Sequence, residues 1–267
     1  MTETLLSVED ITLRFGGVTA LDSVSFEVHR REFFAIIGPN GAGKTSLFNC
    51  LSGMARPTGS ITLSNSQLVG QRPDQIARLG VGRTFQNLGL FLTMSVLENV
   101  LVSSHIRPPA PTVAGWWGRS KRVEFAAREH AYQILDLVGL ADFAHAPVSS
   151  LPYGTRKRVE LAKAAASNPR LLLLDEPVAG MNTEETEELI AHVYRLKYQL
   201  DLTLVLIEHD IHLIMDVADR VLALDFGNVI GLGTPEEIQT NPRVIEAYLG
   251  IEHGAAAEPA LPTKRRA

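Results

Sequence analysis

The chain has 267 residues, 45% of them apolar, enough for one large α/β domain or for a domain with a small appended lobe. Its 25 Lys and Arg against 30 Asp and Glu leave a formal charge of −5, which lacks the basic footprint of a dedicated nucleic-acid binder. A single cysteine, Cys50, excludes an intrachain disulfide framework, and no run reaches the roughly 20 apolar residues that cross a bilayer. Any membrane role must therefore pass through a partner. The first residues carry Glu3, Glu9 and Asp10 and no long apolar block, so a secretory signal is not expected and a cytoplasmic protein is.

In chain order, Leu6 to Phe15, Val24 to Val28 and Phe33 to Ile37 read as strands, separated by Gly16-Gly17 and by the charged His29 to Glu32. Directly behind the third strand stands Gly38-Pro39-Asn40-Gly41-Ala42-Gly43-Lys44-Thr45, followed by the helical stretch Ser46 to Leu51. This strand, glycine-rich turn and helix predict a phosphate-binding loop. The glycines let backbone N–H groups curl around phosphate oxygens, and Lys44 adds positive charge where the helix dipole already favours an anion. Thr45 supplies a hydroxyl for Mg²⁺, and Ser46 completes the set that meets the phosphates.

Ser60 to Leu63 and Gly80 to Gln86 read as further strands. From Thr93 the period turns helical, with Ser95 and Glu98 as a capping box ahead of Val96, Leu97, Val100 and Leu101. Arg107 to Gly118, with three prolines and Trp116-Trp117, interrupts as a surface insertion. Helices are predicted over Lys121 to Val138 and Arg156 to Ser167, the latter stopped by Asn168-Pro169. Leu171 to Leu174 is a continuous apolar run of the kind buried on both faces of a parallel sheet. A helix over Thr183 to Leu200 and a strand over Leu202 to Ile207 follow. Val221 to Leu224 and Val229 to Leu232 flank Asp225-Phe226-Gly227-Asn228, a hairpin turn, and the Ala- and Pro-rich end from His253 to Ala267 is expected to be disordered.

Three later segments appear in a telling order: Leu151-Pro152-Tyr153-Gly154-Thr155, then Leu171 to Leu174 with Asp175-Glu176-Pro177, then Ile207-Glu208-His209-Asp210. They resemble the signature segment, second Walker motif and histidine switch of ABC-type ATPases, a likeness that runs from about Leu5 to Gly250. Arg14 to Val18, Ala179-Gly180-Met181-Asn182 and the ending from Gly233 to Gly250 resemble the ATPases of branched-chain amino acid importers. The insertion at 107–118 is similar to the longer of their two ATPase subunits.

The resemblance implies an α/β P-loop ATPase core over residues 1–252, with an N-terminal antiparallel β lobe and an inserted, signature-bearing helical lobe at about 94–167. It implies ATP and Mg²⁺ as cofactors. Asp175 and Gln86 would join Thr45 at the metal, while Glu176 would act on the attacking water, aided by His209 and by Gln86. Phe15 would stack on adenine, although an aromatic in a strand is more often core. Gly154 and Thr155 would meet the nucleotide of a second ABC ATPase subunit, identical or homologous, in trans. Transmembrane permease subunits would be the other partners and nucleic acid would not, which places the chain on the inner face of the cell membrane. A lipid or lipopolysaccharide exporter, or a non-transport ABC ATPase, would share these motifs.

The signature segment departs from the commonest family pattern, Leu-Ser-Gly-Gly-Gln, because Pro152 offers a phosphate neither hydroxyl nor N–H. Arg156-Lys157-Arg158 put positive charge where a helix dipole prefers acids, a misfit that marks either a functional surface or a solvated basic face. Asn182 stands where many relatives carry aspartate.

Overall fold

The computed structural model of the chain describes residues 3–85, 88–104 and 119–254. The insertion at 107–118, Gln86 and residues 255–267 of the expected tail lie outside the described residues. Among those described, two sheets form. One is antiparallel, in the order β2-β1-β4-β5, made of β1 (Thr4–Phe15), β2 (Val18–His29), β4 (Thr58–Leu63) and the short β5 (Ser66–Gln67). The second strand is more than twice the length expected, 12 residues where Val24 to Val28 was expected. Its first half, Val18 to Ser23, lies outside the strand expected over Val24 to Val28 and is held as strand by pairing with β1 down to the Phe15–Val18 rung.

The other sheet runs β10-β9-β3-β8-β7-β6 and carries the chemistry. Its strands β3 (Phe33–Ile37), β6 (Val81–Arg83), β7 (Leu171–Asp175), β8 (Thr203–Ile207) and β9 (Arg220–Asp225) are parallel, with β10 (Asn228–Gly233) antiparallel at the edge. Every residue of β3, β7 and β8 is buried, as their unbroken apolar runs predict. The two faces are shared out by the period of two. Leu172 and Leu174 pack into the helical side with Val96, Ile134 and Val159, while Leu171 and Leu173 pack toward the antiparallel sheet with Phe48 and Ile61.

Helices α1 (Lys44–Leu51) and α2 (Pro73–Leu79) lie early in the chain. The helical lobe is built from α3 (Val96–Ser104), α4 (Arg119–Leu137) and α5 (Tyr153–Ala165). The capping box is present, with Ser95 N–H donating to Glu98 Oε2 at 2.7 Å and Glu98 N–H to Ser95 Oγ at 3.2 Å. Helix α5 starts three residues earlier than Arg156, because Pro152 takes the cap position and its carbonyl accepts the first helical bond from Arg156 N–H at 3.0 Å. Thereafter come α6 (Thr183–Gln199), α7 (Ile211–Val217), α8 (Pro235–Gln239) and α9 (Pro242–Gly254). The last of these carries helix through His253, where the tail was expected to begin. No described helix is long and apolar enough to cross a membrane.

Candidate functional site

The parallel strands end on one edge of the sheet, where open α/β sheets bind ligands. From β3 the chain turns through Gly38 to Gly43 into α1. Gly43 caps that helix at φ 103°, and a Cβ there would stand 2.6 Å from the Ala20 carbonyl oxygen, so only glycine fits. Lys44 is buried, and its Nζ donates to the carbonyls of Gly38 at 2.6 Å and Pro39 at 3.0 Å. Its third donor remains for a ligand. Burial lowers the ammonium's pKa, opposed by the nearby Glu176 charge, so an anion entering beside Lys44 offsets a desolvation cost already incurred. Asn40 to Ser46 line a cavity of about 330 Å³, which is also walled by Val18, Thr19 and Ala20 of β2 and by Glu176, His209 and Phe226.

Glu176 follows β7 in the left-handed region, φ 47°, a conformation that costs a non-glycine residue of order 1–3 kcal/mol and clusters at active sites. Its N–H donates to Ile207 O at 3.0 Å, tying the turn to β8. Its side-chain Oε1 is 2.5 Å from His209 Nε2. Glu176 is mostly buried and His209 half exposed, so the pair meets solvent through the imidazole. Beneath them, Glu208 is buried and accepts from Val178 N–H at 3.0 Å and from His209 N–H at 3.2 Å. Burial pushes its carboxyl above the ordinary range, with those two donors opposing. Glu208 thus braces the turn after Glu176 from the next strand.

Asp175 is turned elsewhere. Its Oδ2 accepts from Arg83 Nη2 at 2.8 Å, with both side chains 7% exposed. Nη1 of the same guanidinium donates to Asn49 Oδ1 at 2.9 Å and to Ser52 Oγ at 2.8 Å, both near the end of α1. Asp175 N–H donates to Thr84 Oγ1 at 3.1 Å. Arg83 therefore links the phosphate-loop helix to the end of β7, one oxygen of Asp175 being taken and Oδ1 left. The described residues contain no cluster of three His, Cys, Asp or Glu able to hold a metal alone.

Gly154 and Thr155 lie in the first turn of α5. A Cβ on Gly154 would stand 3.0 Å from Glu185 Oε1 and 3.5 Å from Met181 Cε, so the segment packs on its own chain's α6 start. Asn182 caps α6 reciprocally with Glu185, at 2.9 and 3.0 Å. The basic run is not a solvated face. Arg156 donates to Leu151 O and Ser149 O, Lys157 is buried with its Nζ 3.4 Å from Glu176 O, and Arg158 pairs with Glu188. Of the aromatics, Phe15 is exposed at the β1–β2 turn and does not line the cavity, whereas Phe226 does. Arg83 and Glu208 carry no role readable from sequence, and Lys157 reads there only as part of the basic run; their burial, which a linear pattern does not display, marks all three.

A phosphate loop at the end of β3, facing an acid and a histidine at the ends of β7 and β8, defines a P-loop ATPase domain. The ABC transporter family model matches residues 21–179, and the model for the branched-chain amino acid ATP-binding cassette transporter matches 228–254. The chain belongs to the ABC transporter ATP-binding family, whose members hydrolyse ATP to drive transport. It is 43% identical to the high-affinity branched-chain amino acid transport ATP-binding protein LivG of Salmonella typhimurium, and 42% identical to BraF of Pseudomonas aeruginosa. Each alignment spans 94% of this chain and 99% of the relative. Among solved structures, an ATP-binding cassette of an ABC transporter in its ADP conformation superposes with a TM-score of 0.81 at 28% identity, covering 93% of this chain and all of that one. A nucleotide-free cassette gives 0.79 at 29%, covering 92% and 98%.

Proposed function

We propose that this chain is the ATP-hydrolysing subunit of an importer for branched-chain amino acids or a similar small polar solute, and that hydrolysis runs through Glu176. The observation that carries the site assignment is the Glu176–His209 pair facing the same cavity as Lys44 and the loop. LivG and BraF, matched end to end, support the solute class.

In this reading the loop N–H groups and Lys44 hold the β- and γ-phosphates, and His209 fixes the Glu176 carboxylate so that it orients and deprotonates the attacking water. Thr45 and Asp175 would hold Mg²⁺, which supplies charge neutralisation on the phosphates. Gln86 would link that site to the permease. Gly154 and Thr155 would complete the nucleotide site of a second ATPase subunit, with Pro152 leaving that contact to backbone N–H groups. Closure on ATP and reopening after hydrolysis would then become a hinge motion. The exposed apolar residues Phe85, Phe91, Leu92 and Met94 cluster in sequence around residue 86 and suit a permease contact, which would hold the chain on the inner membrane face.

Glu176→Gln is expected to bind ATP normally and to hydrolyse it at least about a hundredfold more slowly in single turnover. Lys44→Ala is expected to weaken ATP binding itself, because that charge meets the phosphates in the bound state. Near-normal hydrolysis by Glu176→Gln refutes the role of Glu176. Leucine, isoleucine and valine uptake by the complex reconstituted with its permeases tests the solute.

A further inference from the structure

The turn that carries Glu176 is strained and is held from two sides. A left-handed φ of 47° at a non-glycine residue persists only where the surroundings over-determine it. On one side stands the end of β8, where Ile207 O accepts Glu176 N–H and Glu208 accepts Val178 N–H. Within the turn, Ala179 N–H donates to Glu176 O at 3.3 Å and Met181 N–H to Val178 O at 3.0 Å.

The other side is α5. Tyr153 and Lys157 stand four residues apart and so share one face of its first turns. Lys157 Nζ donates to Glu176 O at 3.4 Å and lies 5.7 Å from the centre of the Tyr153 ring, whose face covers this buried ammonium. Tyr153 itself reaches the far end of the same turn. Its hydroxyl donates to Ala179 O at 3.4 Å, and a Cβ on Gly180 would stand 3.5 Å from ring Cε1, so the ring rests on the backbone there. Tyr153 does not line the cavity that holds Lys44 and His209. The commonest family pattern, Leu-Ser-Gly-Gly-Gln, has glycine at this position, which could make none of these contacts.

We propose that Tyr153 is a positioning residue for Glu176 of its own chain: with Lys157 it locks the turn after the acid to the helix that begins with Gly154 and Thr155. This rests on hydrolysis running through Glu176. Lys157 grips the start of the turn and Tyr153 its end, so a shift of α5 moves the backbone on which the acid is mounted. Contact between Gly154 or Thr155 and a second subunit's nucleotide therefore bears on this chain's own acid. The effect belongs to the rate of reaction, because a misplacement of about 1 Å by a change away from the chemistry costs up to about a hundredfold.

Steady-state ATPase assays of the assembled transporter test this. Tyr153→Ala is expected to lower kcat about tenfold or more with KM held within about twofold. Tyr153→Phe keeps the ring over Gly180 and beside Lys157, and is expected to stay within about threefold of the unaltered rate, the loss of one long neutral hydrogen bond. ATP binding to the isolated chain is expected to be unchanged by either. Hydrogen exchange of the isolated chain with ADP gives a second readout. The slowing over residues 176–180 is expected to extend to residues 154–158 in the unaltered chain and to stop short of them in Tyr153→Ala. A kcat for Tyr153→Ala within about twofold of the unaltered rate overturns the proposal, as does an ADP response at 154–158 that survives the substitution. A rise in KM at constant kcat also overturns it, since the ring then contacts the partner's nucleotide instead. Glu176→Gln separates the two readings. If that variant hydrolyses ATP normally, the acid is misassigned; if it is inactive while Tyr153→Ala keeps its full rate, the positioning role alone fails.

Discussion

Replacing Arg83 by Met keeps an unbranched stem between Phe48 and Phe85, whose ring centres lie 5.6 and 5.2 Å from the guanidinium carbon, and removes the charge. What remains is the Asp175 carboxylate, 7% exposed, with its 2.8 Å partner gone, and the Asn49 and Ser52 acceptors unfilled. Breaking a buried pair from one side costs about 3–5 kcal/mol, because the surviving charge is left desolvated. Against a total stability of roughly 5–15 kcal/mol that is a large share. Asp175→Asn is expected to cost less, about 1–3 kcal/mol, since the amide oxygen still accepts from Arg83 and the other two acceptors remain. The double variant is expected to be more stable than the sum of the two losses by about 1–3 kcal/mol, the coupling of residues in one network. Urea unfolding of the nucleotide-free chain, followed by circular dichroism, measures all three. Additivity within about 0.5 kcal/mol, or an Arg83→Met loss below about 1 kcal/mol, would show that the pair is not a buried linkage and would refute the reasoning.

Gly154→Asp is expected to abolish ATPase activity in the assembled transporter and to lower Tm as well. Its Cβ would meet Glu185 Oε1 at 3.0 Å, setting two carboxylates together at a cost of about 1–2 kcal/mol after discounting for partial exposure. Adding Glu185→Gln is expected to restore most of the Tm and none of the activity; activity that returned with the Tm would reduce the segment to a folding role. His192 gives a pH dependence. Burial lowers its pKa, partly countered by the bond of Nδ1 to Leu137 O, so the folded state binds its proton less readily than the unfolded chain does. Stability is then full above the unfolded value of about 6.5 and falls as pH drops from there through the lower folded value. Urea unfolding between pH 7.5 and 5 is expected to show that loss, and His192→Gln to flatten it; an unchanged slope counts against the burial argument.

What could be read from sequence was whatever a local pattern encodes. Phe33 to Ile37, Leu171 to Leu174 and Leu204 to Ile207 are apolar runs without alternation, and they form the buried parallel strands. The phosphate loop is legible because strand, glycines, Lys44 and helix are contiguous, and Ser95 with Glu98 because a cap spans one turn. The misses share a cause. Helix α2 buries only Ile76, so it has no periodic signal, and Val18 to Ser23 are strand only by virtue of their pairing with β1. The start of α5 was obscured because Pro152 and Gly154 read as breakers, although a proline that precedes the first helical residue sacrifices no helical bond. Arg83 looks like the polar end of a strand, since its partner Asp175 lies 92 positions away.

The same limit explains the charged face of α5. Lys157, Glu160 and Lys163 recur every three residues, a spacing that puts them on one side of the helix and reads as solvated. In the folded chain that side is turned inward. Lys157 reaches the carbonyl of Glu176, buried Glu160 accepts from Phe85 N–H at 2.7 Å, and Lys163 donates to Gly89 O. Burial raises the Glu160 carboxyl and lowers the Lys163 ammonium, each opposed by the other's charge, so both ions depend on this arrangement. The helix that begins with Gly154 and Thr155 is thus bonded to the turn bearing the acid at the end of β7, and to both sides of the segment containing residue 86. A displacement of α5 as a rigid body stretches these bonds together. The charge pattern that looks misplaced at the helix start is a set of tethers between the helical lobe and the ends of β6 and β7.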